Sequence, residues 1–306
     1  MMHLLENLHR NVKTIAMPSA MVVGALLCRP VAWLEATSHQ MITPTLIFLM
    51  LFVTFCRVSP KQMKPSMLHL WLLVIQMVLC VGVYLVLRPF DVVVAQGGMV
   101  CVLAPIAMAA VVIAGMLGAN VATMVTYSLI CNMFIALVAP VFLSYTGTGV
   151  CTFSQILARI APLLIGPFAA AQFCRFVFPK TAHWIGDHGQ ISFYMWLLSL
   201  IVIIGRTTCF IIDLHDASIS TELWLAFVAL VICLLQFKIG RMLGRRYGDA
   251  VAGGQSLGQK NTVLAVWMAQ AFLNPMSSIA PTAYIVWQNF VNSFQLYRKD
   301  NQRRKK

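Results

Sequence analysis

Gly253-Gly254-Gln255-Ser256-Leu257-Gly258-Gln259-Lys260-Asn261-Thr262 is a run of glycines and polar side chains inside a hydrophobic segment, flanked by Ala250-Val251-Ala252 and Val263-Leu264-Ala265-Val266-Trp267. Polar groups are costly to bury unpaired in hydrocarbon. Backbone that leaves the helical ladder in a bilayer must be shielded by protein or line a water-filled cavity. The run therefore predicts a membrane helix broken near Gly258, with its polar side chains gathered at a site.

The rest of the chain supports the membrane setting. Of 306 residues, 60% are hydrophobic and 10% charged, and the mean hydropathy is +0.82, which leaves too little polar surface to cover a soluble domain. A spanning helix needs about 20 apolar residues. Such stretches follow one another at 10–28, 40–56, 66–87, 92–118, 120–146, 152–178, 190–213, 218–244, 250–273 and 275–297. The first is no signal peptide on this reading, because Cys28-Arg29-Pro30 follows it instead of a small-residue cleavage site. The fourth stretch holds a second break, Ala104-Pro105-Ile106, where proline removes a backbone donor. The two breaks, at Pro105 and Gly258, hold matching places in the halves 10–146 and 152–297. An odd number of spans per half inverts the second relative to the first, the architecture of many secondary transporters. The expected fold is thus an all-α polytopic membrane protein, one transmembrane domain over 1–306. It has about ten helices in two inverted five-helix repeats, with helices four and nine broken.

Basic residues favour the cytoplasmic side of a membrane. Arg57, Lys61 and Lys64 lie after even-numbered spans, as do Arg175 and Lys180, and Lys238, Arg241, Arg245 and Arg246. These share a side with the basic tail at 298–306. Both termini are expected in the cytoplasm. The net charge of +13 then belongs to topology and anionic headgroups rather than to nucleic acid, for which interleaved aromatics are missing. The nine cysteines are dispersed without a C-x-x-C pair, and no histidine cluster accompanies them, so no structural metal is expected. No G-x-x-x-x-G-K-[ST] or G-x-S-x-G motif occurs, which argues against ATP as direct driver and against an enzyme. No cofactor is expected. The short loops and absence of a targeting segment point to a bacterial cytoplasmic membrane.

Gly258-Gln259-Lys260-Asn261-Thr262-Val263-Leu264-Ala265, followed by Pro281-Thr282-Ala283-Tyr284-Ile285-Val286-Trp287-Gln288-Asn289, resembles the ninth and tenth helices of bile acid/sodium symporters. That family typically shows G-x-Q-N-S-x-L-A and, downstream, P-x-x-x-x-S-V-W-H-N. Pro162-Leu163-Leu164-Ile165-Gly166 with Phe178-Pro179, Gln76, Gly118-Ala119-Asn120-Val121-Ala122 and Asn132 extend the resemblance along most of the chain. It implies a panel and a core domain, crossing broken helices, and transport of an organic anion, usually with sodium. It implies substrate contacts at Asn261 and Asn289, with Thr262 and Asn132 beside them, where neutral amides suit a polar solute.

The departures from the family are equally informative. Its acidic residue in the broken ninth helix and the glutamine that follows fall here on Ser256 and Lys260, next to Gln259. Its P-G-G-x-x-S-N pattern becomes Pro105-Ile106-Ala107-Met108-Ala109-Ala110-Val111. Only Gln76 and Ser128 keep positions where the resemblance implies sodium ligands, so two intact sodium sites are not expected. Lys260 is read as a tethered cation in place of one sodium ion, able to exchange a proton because burial disfavours its charged form. The alternative is a lysine that snorkels to an aqueous face. Arg159 and Arg206 are read as snorkelling residues, Arg206 with Asp213 or Glu222 as partner. The expected function is a secondary carrier of a small organic anion. A sodium symporter with unusual ligands and a non-transporting receptor on the same fold are the competing readings.

Overall fold

The computed structural model describes residues 19–56, 64–107, 109–147, 152–188, 190–213 and 219–304. They form helices α1 (Ser19–Leu26), α2 (Cys28–Thr37), α3 (Ile42–Phe55), α4 (Met67–Leu87), α5 (Val92–Leu103), α6 (Ala109–Leu117) and α7 (Val121–Thr146). There follow α8 (Phe153–Val177), α9 (Pro179–Asp187), α10 (Gln190–Asp213), α11 (Ile219–Arg246), α12 (Ala250–Gly258), α13 (Thr262–Phe272), a 3₁₀ turn at Pro275–Ser278 and α14 (Ile279–Arg304). Among the described residues, α4, α7, α8 and α11 are long and apolar enough to cross a membrane, and a fifth span arises if α1 and α2, bent by 75°, count as one. This is a multi-pass, all-helical membrane protein.

Two groups of helices can be distinguished, joined where α7 packs along α8. In one, α2 and α3 lie against α10, and α3 against α8; in the other, α4 packs on α5, α11 on α12 and α14, and α6 on α7. The large hydrophobic core belongs chiefly to the second group and includes Leu72, Met99, Leu103, Tyr127, Ala229, Leu264 and Tyr284. The α11/α12 contact depends on close backbone approach. A Cβ on Gly253 would collide with the Gly240 carbonyl oxygen and the Gly244 backbone.

The structure corrects three expectations. The stretch after the first span is not a loop, because Pro30 sits in the first turn of α2, where a missing N–H costs nothing. Residues 10–18 of that span lie outside the described residues. Residues 179–187, also expected as a connection, form α9 with Pro179 at its start. The basic residues at 298–304 continue α14 instead of leaving it as a tail.

Arg206 has a different partner from the two expected. Its Nη1 lies 3.6 Å from Glu35 Oε1, and Glu35 is 2% exposed. Thr43 donates to the same carboxylate oxygen through its amide, at 3.2 Å, and through its hydroxyl. Asp213 pairs instead with Arg29 at 2.8 Å on the surface. Arg159 is exposed, in keeping with a snorkelling side chain.

The buried pair yields a quantitative expectation. Glu35→Ala leaves a mostly buried guanidinium without its counter-ion, a loss of about 3 kcal/mol. Removing both charges in Glu35→Ala/Arg206→Met should recover most of it. Thermal melts of the two single variants, the double variant and the parent measure the coupling. Additive losses would show that the two groups do not stabilise one another.

Candidate functional site at the helix crossing

The broken helices α5/α6 and α12/α13 cross, and they join there through backbone. Ala104 leaves α5 with φ −50° and ψ 139°, the extended conformation favoured before proline. Gln259 leaves α12 with φ −94° and ψ 98°. The two unwound strands pair antiparallel at Ile106 and Lys260. Ala107 N donates to Gln259 O at 2.9 Å and Asn261 N donates to Pro105 O at 2.8 Å. Each break thereby satisfies backbone groups of the other, which hydrocarbon cannot do.

The helix ends at the crossing are closed by side chains. Gln76 of α4 donates its amide to Val102 O at 2.9 Å, Ala104 O at 3.1 Å and Leu103 O at 3.3 Å. Its oxygen accepts from the Tyr127 hydroxyl at 3.3 Å. Tyr284 donates to Gly258 O at 2.8 Å, sealing the end of α12. Asn261 is the N-cap of α13 and accepts from Leu264 N at 3.2 Å. Gly258 is required because a Cβ there would fall on the ring of Phe237.

Lys260 is 1% exposed, and its Nζ has no hydrogen-bond partner. It does not reach an aqueous face, so the snorkelling alternative is not what this conformation adopts. Its backbone N–H donates to Gln288 Oε1 at 3.0 Å. The thiols of Cys131, Cys80 and Cys101 are within electrostatic reach of its ammonium. Neither ion pair found among the described residues belongs to the crossing, since one joins Arg29 to Asp213 and the other Arg206 to Glu35. Two helix C-termini and two N-termini meet there, so their partial charges largely offset one another. Lys260 Nζ is then the group at the crossing that can bring positive charge there.

Other sequence-selected residues also carry buried polar atoms. Asn132 Nδ2 donates to Ser128 O at 2.7 Å, but Asn132 Oδ1, Ser128 Oγ and Asn261 Nδ2 are buried without partners. Ser256 Oγ contacts Met124 Sδ at 3.5 Å, and Thr262 is buried. Asn289 is different: half-buried, it turns its amide back to Ile285 O of its own helix at 2.8 Å. No family model matches this sequence, and no curated protein matches it. Gln76 is fully engaged with the end of α5, so its geometry serves helix closure. Among the described residues no group of three or more histidine, cysteine or acidic side chains is arranged to hold a metal.

Sequence reasoning missed one whole face. Tyr284, Gln288, Asn292 and Gln295 recur at helical spacing on α14, where 3.6 residues per turn places them in one row. All four hydrogen bond to the crossing or to α12. That periodicity was the available signal.

Proposed function

We propose that this protein is a secondary carrier for a small organic anion, working by alternating access around the crossing of its two broken helices. The observation that carries the reading is the fully buried amine of Lys260 at that crossing, which has no hydrogen-bond partner. An intramembrane cation without a counter-ion is costly unless its task is to meet an anion. The carboxylate class fits, with the unmet polar atoms of Ser128, Asn132 and Asn261 as neutral hydrogen-bonding groups.

The ten-span, inverted-repeat arrangement is part of the same proposal. Both broken pairs open on an aspartate N-cap: Asp91 accepts from Val93 N and Val94 N, and Asp249 accepts from Ala252 N. Both first segments are then short, α5 with 12 residues and α12 with 9. A short, capped helix followed by unwound backbone in corresponding places is what inverted repeats with a midplane site require. The two packing groups would serve as panel and core. The basic residues support an orientation with both termini inside, and the short loops suit the cytoplasmic membrane of a bacterium.

In this reading Lys260 takes the place of a transported cation, and sodium is dispensable. Flux of labelled carboxylates into proteoliposomes, with sodium or choline outside, tests it. Uptake is expected to be equal in the two salts and to disappear in Lys260→Gln. Uptake that requires sodium would identify a symporter with unusual ligands, and binding without uptake a receptor.

A further inference from the structure

A ladder of side-chain hydrogen bonds runs from the crossing to the end of the bundle where α11 and α14 terminate. Gln259 Oε1 accepts from Asn292 Nδ2, and Asn292 Oδ1 accepts from Gln255 Nε2 at 2.9 Å. Gln255 Nε2 also donates to Gln295 Oε1 at 3.2 Å, and the last member, Arg241, donates through Nη2 to that same oxygen at 3.2 Å. The Arg241 stem lies against Gly254, where a Cβ would clash with its Cγ. Arg241 is thus held in place from two sides.

Its charge is not matched. Arg241 Nε is buried without an acceptor. Arg245, one turn further along α11, and Arg298 of α14 are near enough for their charges to act on it. Among the described residues no ion pair engages any of the three. Asp249, close in sequence, is occupied in capping: its two oxygens accept from Ala252 N at 2.8 Å and Asn120 N at 2.7 Å. Charge placement across a membrane explains basic residues at this end. It does not explain an arginine turned inward with an unmet donor beside two like charges.

We propose that Arg241, Arg245 and Arg298 form a binding site for an anionic phosphate group. A guanidinium presents a planar fork of donors that matches phosphate oxygens, and a fixed fork loses little entropy on binding. The phosphate comes from either an anionic lipid headgroup or a soluble phosphate compound. The site stands apart from the crossing and does not depend on what the protein carries.

The test is the melting temperature of the full-length protein in neutral detergent at constant ionic strength. It is titrated with inorganic phosphate and, separately, with mixed micelles of phosphatidylglycerol or phosphatidylcholine. Stabilisation by phosphate or by phosphatidylglycerol is expected, weakened roughly tenfold in apparent affinity by Arg298→Gln and more by Arg241→Gln. Lys238→Gln, an exposed charge on the same helix, should leave it unchanged. A response to phosphatidylglycerol alone assigns the site to lipid, and a response to inorganic phosphate assigns it to a soluble compound. Should Arg241→Gln fail to fold, the exposed Arg298 decides. Absence of any response, or an undiminished response in Arg298→Gln, overturns the proposal.

Discussion

Lys260→Met is expected to give a protein that melts higher and transports nothing. The methionine side chain has nearly the length and volume of the lysine stem, so the packing around Ile106 and Gln288 survives, while an unpaired ammonium is removed from the interior. An unsatisfied buried polar group costs about 1–3 kcal/mol, and a charged one more. The substitution should therefore stabilise by on the order of 2 kcal/mol and raise the melting temperature by about 5 °C. Uptake should be lost, because the positive charge that meets the anion is gone. A gain of stability coupled to a loss of activity is the signature of a residue kept for function. Melting followed by tryptophan fluorescence, together with proteoliposome flux, checks both halves. A lower melting temperature would mean that the ammonium is stabilised where it lies, and retained uptake would remove Lys260 from the transport site.

Gly253→Ala should be among the most destabilising additions of a single methyl group to this chain. Its Cβ would meet the Gly240 carbonyl oxygen and the Gly244 Cα and N. These are backbone atoms that cannot rotate away. Overpacking typically costs about 1–3 kcal/mol, and here the upper end applies, because α11 and α12 must separate along the whole contact. Gly82→Ala is the matching control. Gly82 lies within α4, and its added methyl would meet nothing within 4 Å. Improved helix propensity should stabilise that variant by up to about 1 kcal/mol. Melting curves for the two variants should move in opposite directions, and a shared direction would contradict the packing assigned to Gly253.

The elements that were legible in the sequence are those written into local chemistry. Pro105 and Gly258 mark both breaks because one removes a donor and the other admits a ring where a side chain would stand. Apolar length marks α4, α7, α8 and α11. Lys260 stands out since a lysine in an apolar segment must either meet a partner or snorkel to water. Pairings across long separations were not legible. Glu35 and Arg206 meet because α2 folds back after a 75° bend, and no local rule links positions so far apart. Asp213 lies near the end of the helix that carries Arg206, but it pairs with Arg29. Asn289 is a different case. A motif position suggested a substrate contact, while the helix face directs its amide to its own backbone. The polar row on α14 was readable in principle, but its even spacing carries no breaker residue to call attention to it.

The antiparallel pairing of Ile106 with Lys260 bears on how the protein is made. When the first half of the chain enters the membrane, the Pro105 carbonyl and the Ala107 amide have no partners, and residues 259 and 261 have yet to be synthesised. Hydrocarbon offers them nothing in exchange. The early product must therefore hold an open gap in its backbone, sheltered by the insertion machinery or by water, across more than 150 residues of further synthesis. The last third of the chain closes that gap. Biogenesis of this protein consequently includes a late joining step, in which residues 259 and 261 meet the Ala107 amide and the Pro105 carbonyl.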